Sequence, residues 1–534
     1  MNLLSLEKNF YKKKWGGRLS IALIFPNFYE IGMSNLGFLF VYQRLNSYDE
    51  IVCERVFLQK GNPHPTSVES NRHLKEFDIL MFAIPFEMDY PNVVKLLKSA
   101  GICPFSRERN EIVLAGGIAT WLNPFPLAEF VDAFLIGEWE AMEEELIHTF
   151  TEEVPPQKKN LLSRLNELEF TYVPELEPKK EVKIKKQFPL KTPVLSKLVS
   201  KKAEFKETYL LEVSRGCGRG CRFCAAGYIY RPPRSYTSEA LEQAIDYIPE
   251  GSKVGIIGFE FANKDEVFKV CQSLLEKGCK LSFSSLRIDA LSEEFLKLLK
   301  TTKGIAIAPE TGSEKLKRVI NKNFSKDKIF EAIEHLESGG IKNLKLYFML
   351  GLPEENDEDL EETSSFIKDL LKKRFKLRFS FTFSFFVPKP HTPFQWHSIE
   401  PLEALEKKKK KMYTLLKGIK NVNIEPPKSA VFQTVLARGN ENFGKLILEI
   451  AEGKGLKRIL KDWKDITEKA LFIPKDPDLC FPWDQIKTGV DKSFLWKEWQ
   501  RAVSKKLTSF CNPGACKLCK ACDTFFKQKF NNVK

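Results

Sequence analysis

The sequence lacks three features that would each define a class of protein. Its 534 residues contain only 12 cysteines, too few and too unevenly spread for the disulfide framework of a small secreted protein. No apolar run approaches the roughly 20 residues of a membrane-spanning helix. The first apolar stretch is interrupted by charge before it reaches the length of a signal-peptide core. These absences predict a cytoplasmic protein without a membrane partner.

The bulk composition is that of a globular protein. Hydrophobic residues make up 43% and charged residues 29%, and a chain of this length predicts about three domains. The net charge of +14 admits an anionic partner such as RNA, or simply a solvated surface rich in lysine and glutamate. The lysine run 407–411 favours the second interpretation, because its segment has the pattern of an amphipathic helix.

Residues 1–150 alternate short apolar strands with helical segments. The strands are predicted at 19–26, 51–58, 77–85, 111–117 and 132–138. Continuous apolar runs of this length are typical of a parallel sheet covered on both faces. The pattern predicts an α/β fold with a doubly wound, Rossmann-like sheet, which would bind ligands at the carboxyl ends of its strands.

The rest of the chain divides into three regions. Residues 151–205 are rich in lysine and proline and predict a linker or an extended wrap. Residues 206–390 again alternate strands and helices and predict a partial (β/α)6 barrel, with its catalytic groups at one rim. Residues 391–534 mix helix and loop and match no named fold. The strands of the barrel-like region are predicted at 208–216, 253–260, 280–288, 304–310, 343–350 and 378–388.

A tight cysteine group follows the first strand of the barrel-like region. Cys217, Cys221 and Cys224 are spaced C-x3-C-x2-C in a loop with three glycines. Three thiolates can hold three irons of a four-iron, four-sulfur cluster and leave the fourth iron open. The alternative is a zinc knuckle completed by a remote fourth ligand.

This spacing, with Phe223 before the last cysteine, resembles the signature of the radical S-adenosylmethionine (SAM) superfamily. The resemblance implies an enzyme in which the open iron chelates SAM. A reductant such as flavodoxin or ferredoxin then supplies the electron that yields a 5′-deoxyadenosyl radical. It also implies SAM contacts at strand ends, which we assign to Glu260, Arg287, Glu310 and Gly351. For each of these the alternative is a structural ion pair or a tight turn.

The first region is similar to the cobalamin-binding domain of cobalamin-dependent radical SAM proteins. That resemblance implies that Gly116, Gly117 and Gly137 line the cofactor. The Asp-x-His-x-x-Gly motif that supplies an axial histidine is absent, so a relative that binds nothing is the alternative. Motifs along most of the chain resemble an uncharacterised family of radical SAM proteins with such an N-terminal domain, which implies architecture and cofactors but no substrate.

A second cysteine group lies near the end of the sequence. Its members are spaced C-x4-C-x2-C-x2-C, and they are Cys511, Cys516, Cys519 and Cys522. Four thiolates suffice for a closed metal site. The overlapping C-x2-C-x2-C run favours a second iron–sulfur cluster, and zinc is the alternative.

Three functions remain open at this point. The first is a radical SAM enzyme that transfers a methyl group through cobalamin to an unactivated carbon. The second is a cobalamin-independent radical SAM enzyme that modifies RNA or a ribosome-associated protein. The third is a non-catalytic iron–sulfur protein that binds nucleic acid or assists assembly, which the open iron of the three-cysteine site argues against.

Overall fold

The computed structural model describes residues 3–59, 61, 64–258, 264–283, 286–288, 291, 293–299 and 302–523. The chain forms two compact units, and both are built from discontinuous segments. Unit 1 consists of Met1–Leu211, Val435–Ala470 and Cys480–Thr488. Unit 2 consists of Glu212–Thr434, Leu471–Leu479 and Gly489–Lys534.

Unit 1 is organised around a six-stranded sheet. Its strands are β1 (Leu19–Phe28), β2 (Ile51–Leu58), β3 (Ile79–Ala83), β4 (Ile112–Gly116), β5 (Ala133–Leu135) and β6 (Thr171–Tyr172). The order is β2-β1-β3-β4-β5-β6, in which only β6 runs antiparallel to its neighbour. The first eight residues of β1 are buried, because helices cover the sheet. This is the order of a doubly wound sheet, with its switch point between β1 and β3.

The helices of unit 1 come from both ends of the sequence. They are Tyr29–Gly32, Leu36–Leu45, Tyr90–Ser99, Ile118–Leu122, Trp139–Thr151, Lys158–Glu167, Gly444–Ala451, Leu456–Asp462 and Lys464–Leu471, the last ending where the unit ends. The segment 151–205 contributes one of these helices and β6. It also adds two short strands: Val182–Lys183 pairs with Ile486–Lys487, and Val199–Ser200 pairs with Glu7–Lys8.

The longer strands of unit 2 form two sheets among the described residues. The first contains β7 (Thr208–Glu212), in which the division between the units falls, followed by β8 (Lys253–Ile257) and β9 (Lys280–Phe283). The second contains β10 (Gly304–Glu310), β11 (Asn343–Leu350), β12 (Arg378–Phe385) and β13 (Val422–Ile424), all parallel. The N–H of Leu286 donates to the carbonyl of Ala306 at 3.0 Å and thereby links the chain after β9 to β10.

Ten helices among the described residues accompany these strands. They are Ala226–Ile229, Ser238–Asp246, Lys264–Glu276, Glu293–Leu298, Glu314–Val319, Lys326–Ser338, Asp357–Lys372, Leu402–Leu415, Pro427–Arg438 and Lys492–Val503. Ser313 and Ser325 cap two of them through their side chains. A two-stranded ribbon pairs Ser214–Arg215 with Arg234–Ser235.

The predicted α/β class with parallel sheets is confirmed. All six strands predicted for 206–390 are present, and β13 adds a further parallel strand. Within the described part of the chain these strands lie in two sheets, and closure into one barrel-like sheet stays a prediction.

Candidate metal and cofactor site

A glycine-containing loop after β7 holds the first three cysteines. Its backbone turns at Gly216, where φ is +87° and a Cβ atom would lie 2.9 Å from the Tyr230 carbonyl oxygen. Any other residue would be strained there and would collide with that carbonyl. Cys221 is buried, and Cys217 and Cys224 are partly exposed. Glycine is therefore required at the point where the chain enters the cysteine loop.

Arg222 anchors this loop from within. Its guanidinium donates to the carbonyls of Arg318 and Val319 at 2.9 Å and to the Lys506 carbonyl at 2.6 Å. The Arg222 side chain is fully buried, and the Glu498 carboxylate lies 3.4 Å away. A buried guanidinium with this many acceptors holds the loop in one conformation.

The chemistry of the three thiols fits a cluster with an open iron. Burial of its thiol raises the pKa of Cys224, although the residue as a whole is partly exposed. The Cys221 thiol raises this pKa further, and Lys322 lowers it. Among the described residues, no three His, Cys, Asp or Glu side chains converge on one metal-ion position. In a four-iron cluster each thiolate binds a different iron, so its ligands need not share a point.

A cavity of about 220 Å³ borders this loop. Phe223 lines it together with Met349 of β11 and Phe385, the last residue of β12. Lys389 and Glu425 supply polar groups to its wall. A cleft lined by aromatic side chains and a few polar groups has the usual composition of a small-molecule site.

Burial perturbs both charged groups in the cavity wall. It lowers the pKa of Lys389 to about 7 and raises the pKa of Glu425 above its usual value, which Lys345 partly opposes. The amine of Lys389 is therefore readily deprotonated near neutral pH. Sequence patterns did not single out this lysine, because its depth is set by the fold.

The residues predicted to contact SAM differ in their surroundings. Glu260 lies outside the described residues. The Arg287 guanidinium lies over the Phe324 ring, 5.3 Å from its centroid. Gly351 has a φ of +73°, and its N–H donates to the Glu355 carboxylate at 2.7 Å. The turn at Gly351 is therefore held by an internal carboxylate.

Two lysines of the run 407–411 form ion pairs near the Gly351 turn. Lys408 lies 2.9 Å from the carboxylate of Glu355 and 2.6 Å from that of Glu400. Lys411 pairs with Glu361 at 2.9 Å. Lys411 and Glu361 pair on the helix surface, as expected, whereas the side chains of Lys408 and Glu355 are only 13% and 2% exposed and form a buried pair.

Glu310 occupies a strained position at the end of β10. Its φ is +68°, and its carboxylate lies 2.7 Å from the Lys322 ammonium in a largely buried pair. A non-glycine residue in this conformation costs on the order of 1 kcal/mol or more. The side-chain amide of Asn321, the residue before Lys322, donates to the carbonyls of Arg219 and Gly220 at 3.2 Å, so this ion pair lies beside the cysteine loop. Sequence reasoning assigned Lys322 no role, because its pairing with Glu310 is set by the tertiary fold.

The C-terminal cysteines form a second group of neighbouring thiols. Cys511, Cys519 and Cys522 are buried and Cys516 is partly exposed. Burial raises the pKa of Cys511 to about 11, Arg231 opposes the rise, and the other three thiols add to it. Four thiolates this close repel one another, and a bound metal removes that repulsion. The donor set fits a closed metal site, whose metal stays a prediction.

The glycines predicted to line cobalamin pack against the chain itself. A Cβ atom on Gly117, whose φ is +109°, would lie 2.6 Å from the Ile84 carbonyl oxygen. One on Gly137 would lie 2.7 Å from the Lys185 carbonyl oxygen, and one on Gly116 would lie 3.4 Å from that of Leu135. These contacts explain why glycine is needed at Gly117 and Gly137, and cobalamin binding at the three positions stays a prediction.

Unit 1 also contains a cavity of about 920 Å³ at the ends of two neighbouring strands. Phe28 at the end of β1, and Phe57 and Leu58 at the end of β2, line part of it. These strands are separated from β4 and β5 by β3. The cavity thus lies at strand ends, as predicted for a doubly wound sheet, but not at the predicted glycines.

The parallel α/β fold and the three-cysteine loop after β7 are the features of radical SAM proteins, and the family models agree. The model described as "Radical SAM proteins, N-terminal" matches residues 37–174, and "Radical SAM superfamily" matches residues 211–367. The chain belongs to the radical SAM superfamily and is an enzyme of that class.

Its relatives include proteins with and without an assigned activity. The uncharacterized protein MJ0966 of Methanocaldococcus jannaschii is 32% identical over 438 residues, covering 80% of this chain and 90% of that protein. The ribosomal protein uS12 methylthiotransferase RimO of Hydrogenobaculum sp. is 27% identical over 176 residues, covering 30% of this chain and 44% of that enzyme. This match spans less than half the length of the methylthiotransferase.

The solved structures similar to this chain include the cobalamin-dependent SAM radical enzyme OxsB with aqua-cobalamin and SAM bound. The sequence identity is 14% and the TM-score 0.42, over 97% of this chain and 84% of that one. Among the described residues, no helix has the length and apolar character needed to cross a membrane.

Proposed function

We propose that this enzyme cleaves SAM reductively to methionine and a 5′-deoxyadenosyl radical, which abstracts a hydrogen atom from a substrate. The observation that carries the proposal is the loop with Cys217, Cys221 and Cys224, which stands at a strand end beside a cavity. When bound, the four-iron cluster supplies the electron and an open iron for the amino and carboxylate groups of SAM. A flavodoxin- or ferredoxin-type protein is the reductant we expect.

The chain's own side chains have three tasks in this reaction. Phe223, Met349 and Phe385 give the cavity an apolar wall, which suits the adenosyl group and excludes water from a reactive radical. The Glu310–Lys322 pair supplies polar contacts beside the loop. Arg222 holds the loop in place so that bound SAM keeps one geometry.

The test is SAM cleavage by the anaerobic protein. The full chain is purified without oxygen, reconstituted with iron and sulfide, and mixed with dithionite and SAM. Formation of 5′-deoxyadenosine, quantified by liquid chromatography, is the expected result. A protein that carries its four-iron cluster and forms neither 5′-deoxyadenosine nor S-adenosylhomocysteine would contradict the proposal.

For the substrate, we favour RNA or a ribosome-associated protein over methyl transfer through cobalamin. The similarity to a uS12 methylthiotransferase and to a tRNA methylthiotransferase from Aquifex aeolicus supports this choice, as does the net charge of +14. Methylthio transfer itself fits poorly. The N-terminal domain of methylthiotransferases supplies three cluster cysteines, whereas residues 1–205 of this chain contain only Cys53 and Cys103.

Copurification separates the two substrate classes. The protein is isolated at low salt, and its absorbance spectrum and bound nucleic acid are measured before and after a salt wash. RNA that is released by salt supports the proposal, because phosphate contacts weaken as salt rises. Corrinoid absorbance that survives the wash, without RNA, would contradict it and favour methyl transfer.

A further inference from the structure

The two cysteine groups of unit 2 are in contact through their backbones. The Cys511 N–H donates to the Gly218 carbonyl at 2.8 Å, and Gly218 directly follows Cys217. The ring of Phe510 packs so closely on Gly218 that a Cβ atom there would lie 2.8 Å from it. This hydrogen bond therefore joins Cys511 of the second group to Gly218, the residue next to Cys217 of the first group.

Asn321 adds a second connection between the same two segments. Its side-chain amide donates to the carbonyls of Arg219 and Gly220, both at 3.2 Å, and its oxygen accepts the Thr508 N–H at 2.9 Å. The Arg219 guanidinium lies over the Phe510 ring, 4.7 Å from its centroid. The cysteine loop and the chain leading into Cys511 are thus fixed to one another on two sides.

A buried cation lies between the groups. The Arg231 guanidinium donates to the Gly227 carbonyl at 2.7 Å, just after the first cysteine group. It is also hydrogen-bonded to the Cys519 side chain of the second group. A guanidinium that contacts the thiols of the second group and the backbone just after the first group lowers the repulsion between two anionic centres. Two negatively charged clusters can therefore be held close together here.

From this juxtaposition we propose that Cys511, Cys516, Cys519 and Cys522 bind an iron–sulfur cluster that relays electrons to the cluster of the three-cysteine loop. The proposal rests on the function proposed above. One electron passes from a low-potential flavodoxin- or ferredoxin-type donor to the C-terminal cluster, and from there to the first cluster. That electron cleaves one SAM to methionine and a 5′-deoxyadenosyl radical, so each turn oxidises the donor by one electron.

Zinc would serve this arrangement poorly. Zinc has no redox chemistry, so a zinc ion bound by these four cysteines could not relay an electron. An iron–sulfur cluster can, and electron transfer becomes faster as two centres approach each other.

The test compares two electron sources in the Cys516→Ser variant of the full chain. Cys516 is the partly exposed member of the group, and its loss should remove about four irons per chain. Dithionite is small enough to reduce the first cluster directly, whereas a photoreduced flavodoxin depends on the relay. We expect the flavodoxin-driven rate of SAM cleavage to fall at least tenfold more than the dithionite-driven rate. Cys480→Ser, at an exposed cysteine, is the matched control and should change neither rate.

Spectroscopy keeps the proposal testable if the variant does not fold or SAM is not cleaved. In the reduced wild-type protein, electron paramagnetic resonance should show two signals broadened by magnetic coupling between neighbouring clusters. Zinc in place of the second cluster in metal analysis, uncoupled signals, or equal loss of both rates would each overturn the relay. Absence of SAM cleavage with coupled signals would contradict the proposed function instead and leave the second cluster supported.

Discussion

Strands of both units end in glycine turns that pack against the chain itself, Gly216 against the Tyr230 carbonyl included, and the turns differ in what else lies beside them. In unit 1, the carbonyls of Ile84 and Lys185 fill the space beside Gly117 and Gly137. In unit 2, the loop after β7 borders a cavity together with β11 and β12. A glycine at a strand end indicates close approach of a backbone or ligand, and the comparison teaches that the approaching group can be the chain itself.

The largest expected effect comes from removing a cysteine of the loop in unit 2. Cys221→Ala should abolish the spectrum of the first cluster and lower 5′-deoxyadenosine formation at least a hundredfold, because no other ligand in the loop replaces the thiolate. Iron analysis and chromatography measure both. Cys271→Ala, at a buried cysteine in the helix Lys264–Glu276, is the control. A Cys221→Ala protein that still cleaves SAM would refute the ligand assignment.

The next largest effect concerns a glycine of unit 1. Gly117→Ala should lower the free energy of unfolding by about 2 kcal/mol or more, since a methyl group would meet the Ile84 carbonyl at a strained φ. Gly17→Ala, at a φ of +72° with no atom within 4 Å, should cost only about 1 kcal/mol. Urea titrations measure both. If Gly117→Ala kept its stability but lost bound corrinoid, the group that approaches Gly117 would be cobalamin and not the chain itself.

A smaller effect is expected at the strained glutamate of unit 2. Glu310→Gln should raise the KM for SAM about tenfold, equivalent to about 1.4 kcal/mol, because the amide cannot form the ion pair with Lys322. The kcat should change less. Glu354→Gln, at another glutamate with positive φ (66°), is the matched control. Equal KM values in the two variants would place Glu310 outside the SAM site.

The smallest effect tests the cavity wall. The pKa of Lys389 is lowered by burial to about 7 from 10.5, so between these values the unfolded chain binds more protons than the folded chain. The free energy of unfolding therefore rises with pH in this range. It is lowest at acidic pH, where the Lys389 amine is charged in the folded protein. From pH 7.5 to 8.5, wild-type protein should gain about 1 kcal/mol of unfolding free energy relative to Lys389→Met. A constant difference would show that Lys389 is solvated.

Much of this architecture could be predicted because its causes are local. The strand predicted at 111–117 is recovered at Ile112–Gly116, since its continuous apolar run IVLAG has few alternatives in a covered sheet. The cysteine loop is likewise identified by spacing alone. Lys322, Asn321 and the hydrogen bond between Cys511 and Gly218 could not be predicted, because they join segments that only the tertiary fold brings together.

The central claim is that the loop with Cys217, Cys221 and Cys224 holds a cluster with an iron open to SAM. Electron paramagnetic resonance of the reduced anaerobic protein, recorded before and after SAM is added, tests it most directly. The account predicts that SAM shifts the signal of one cluster, and that this shift is absent in Cys221→Ala. A reduced four-iron cluster whose signal does not respond to SAM would contradict it.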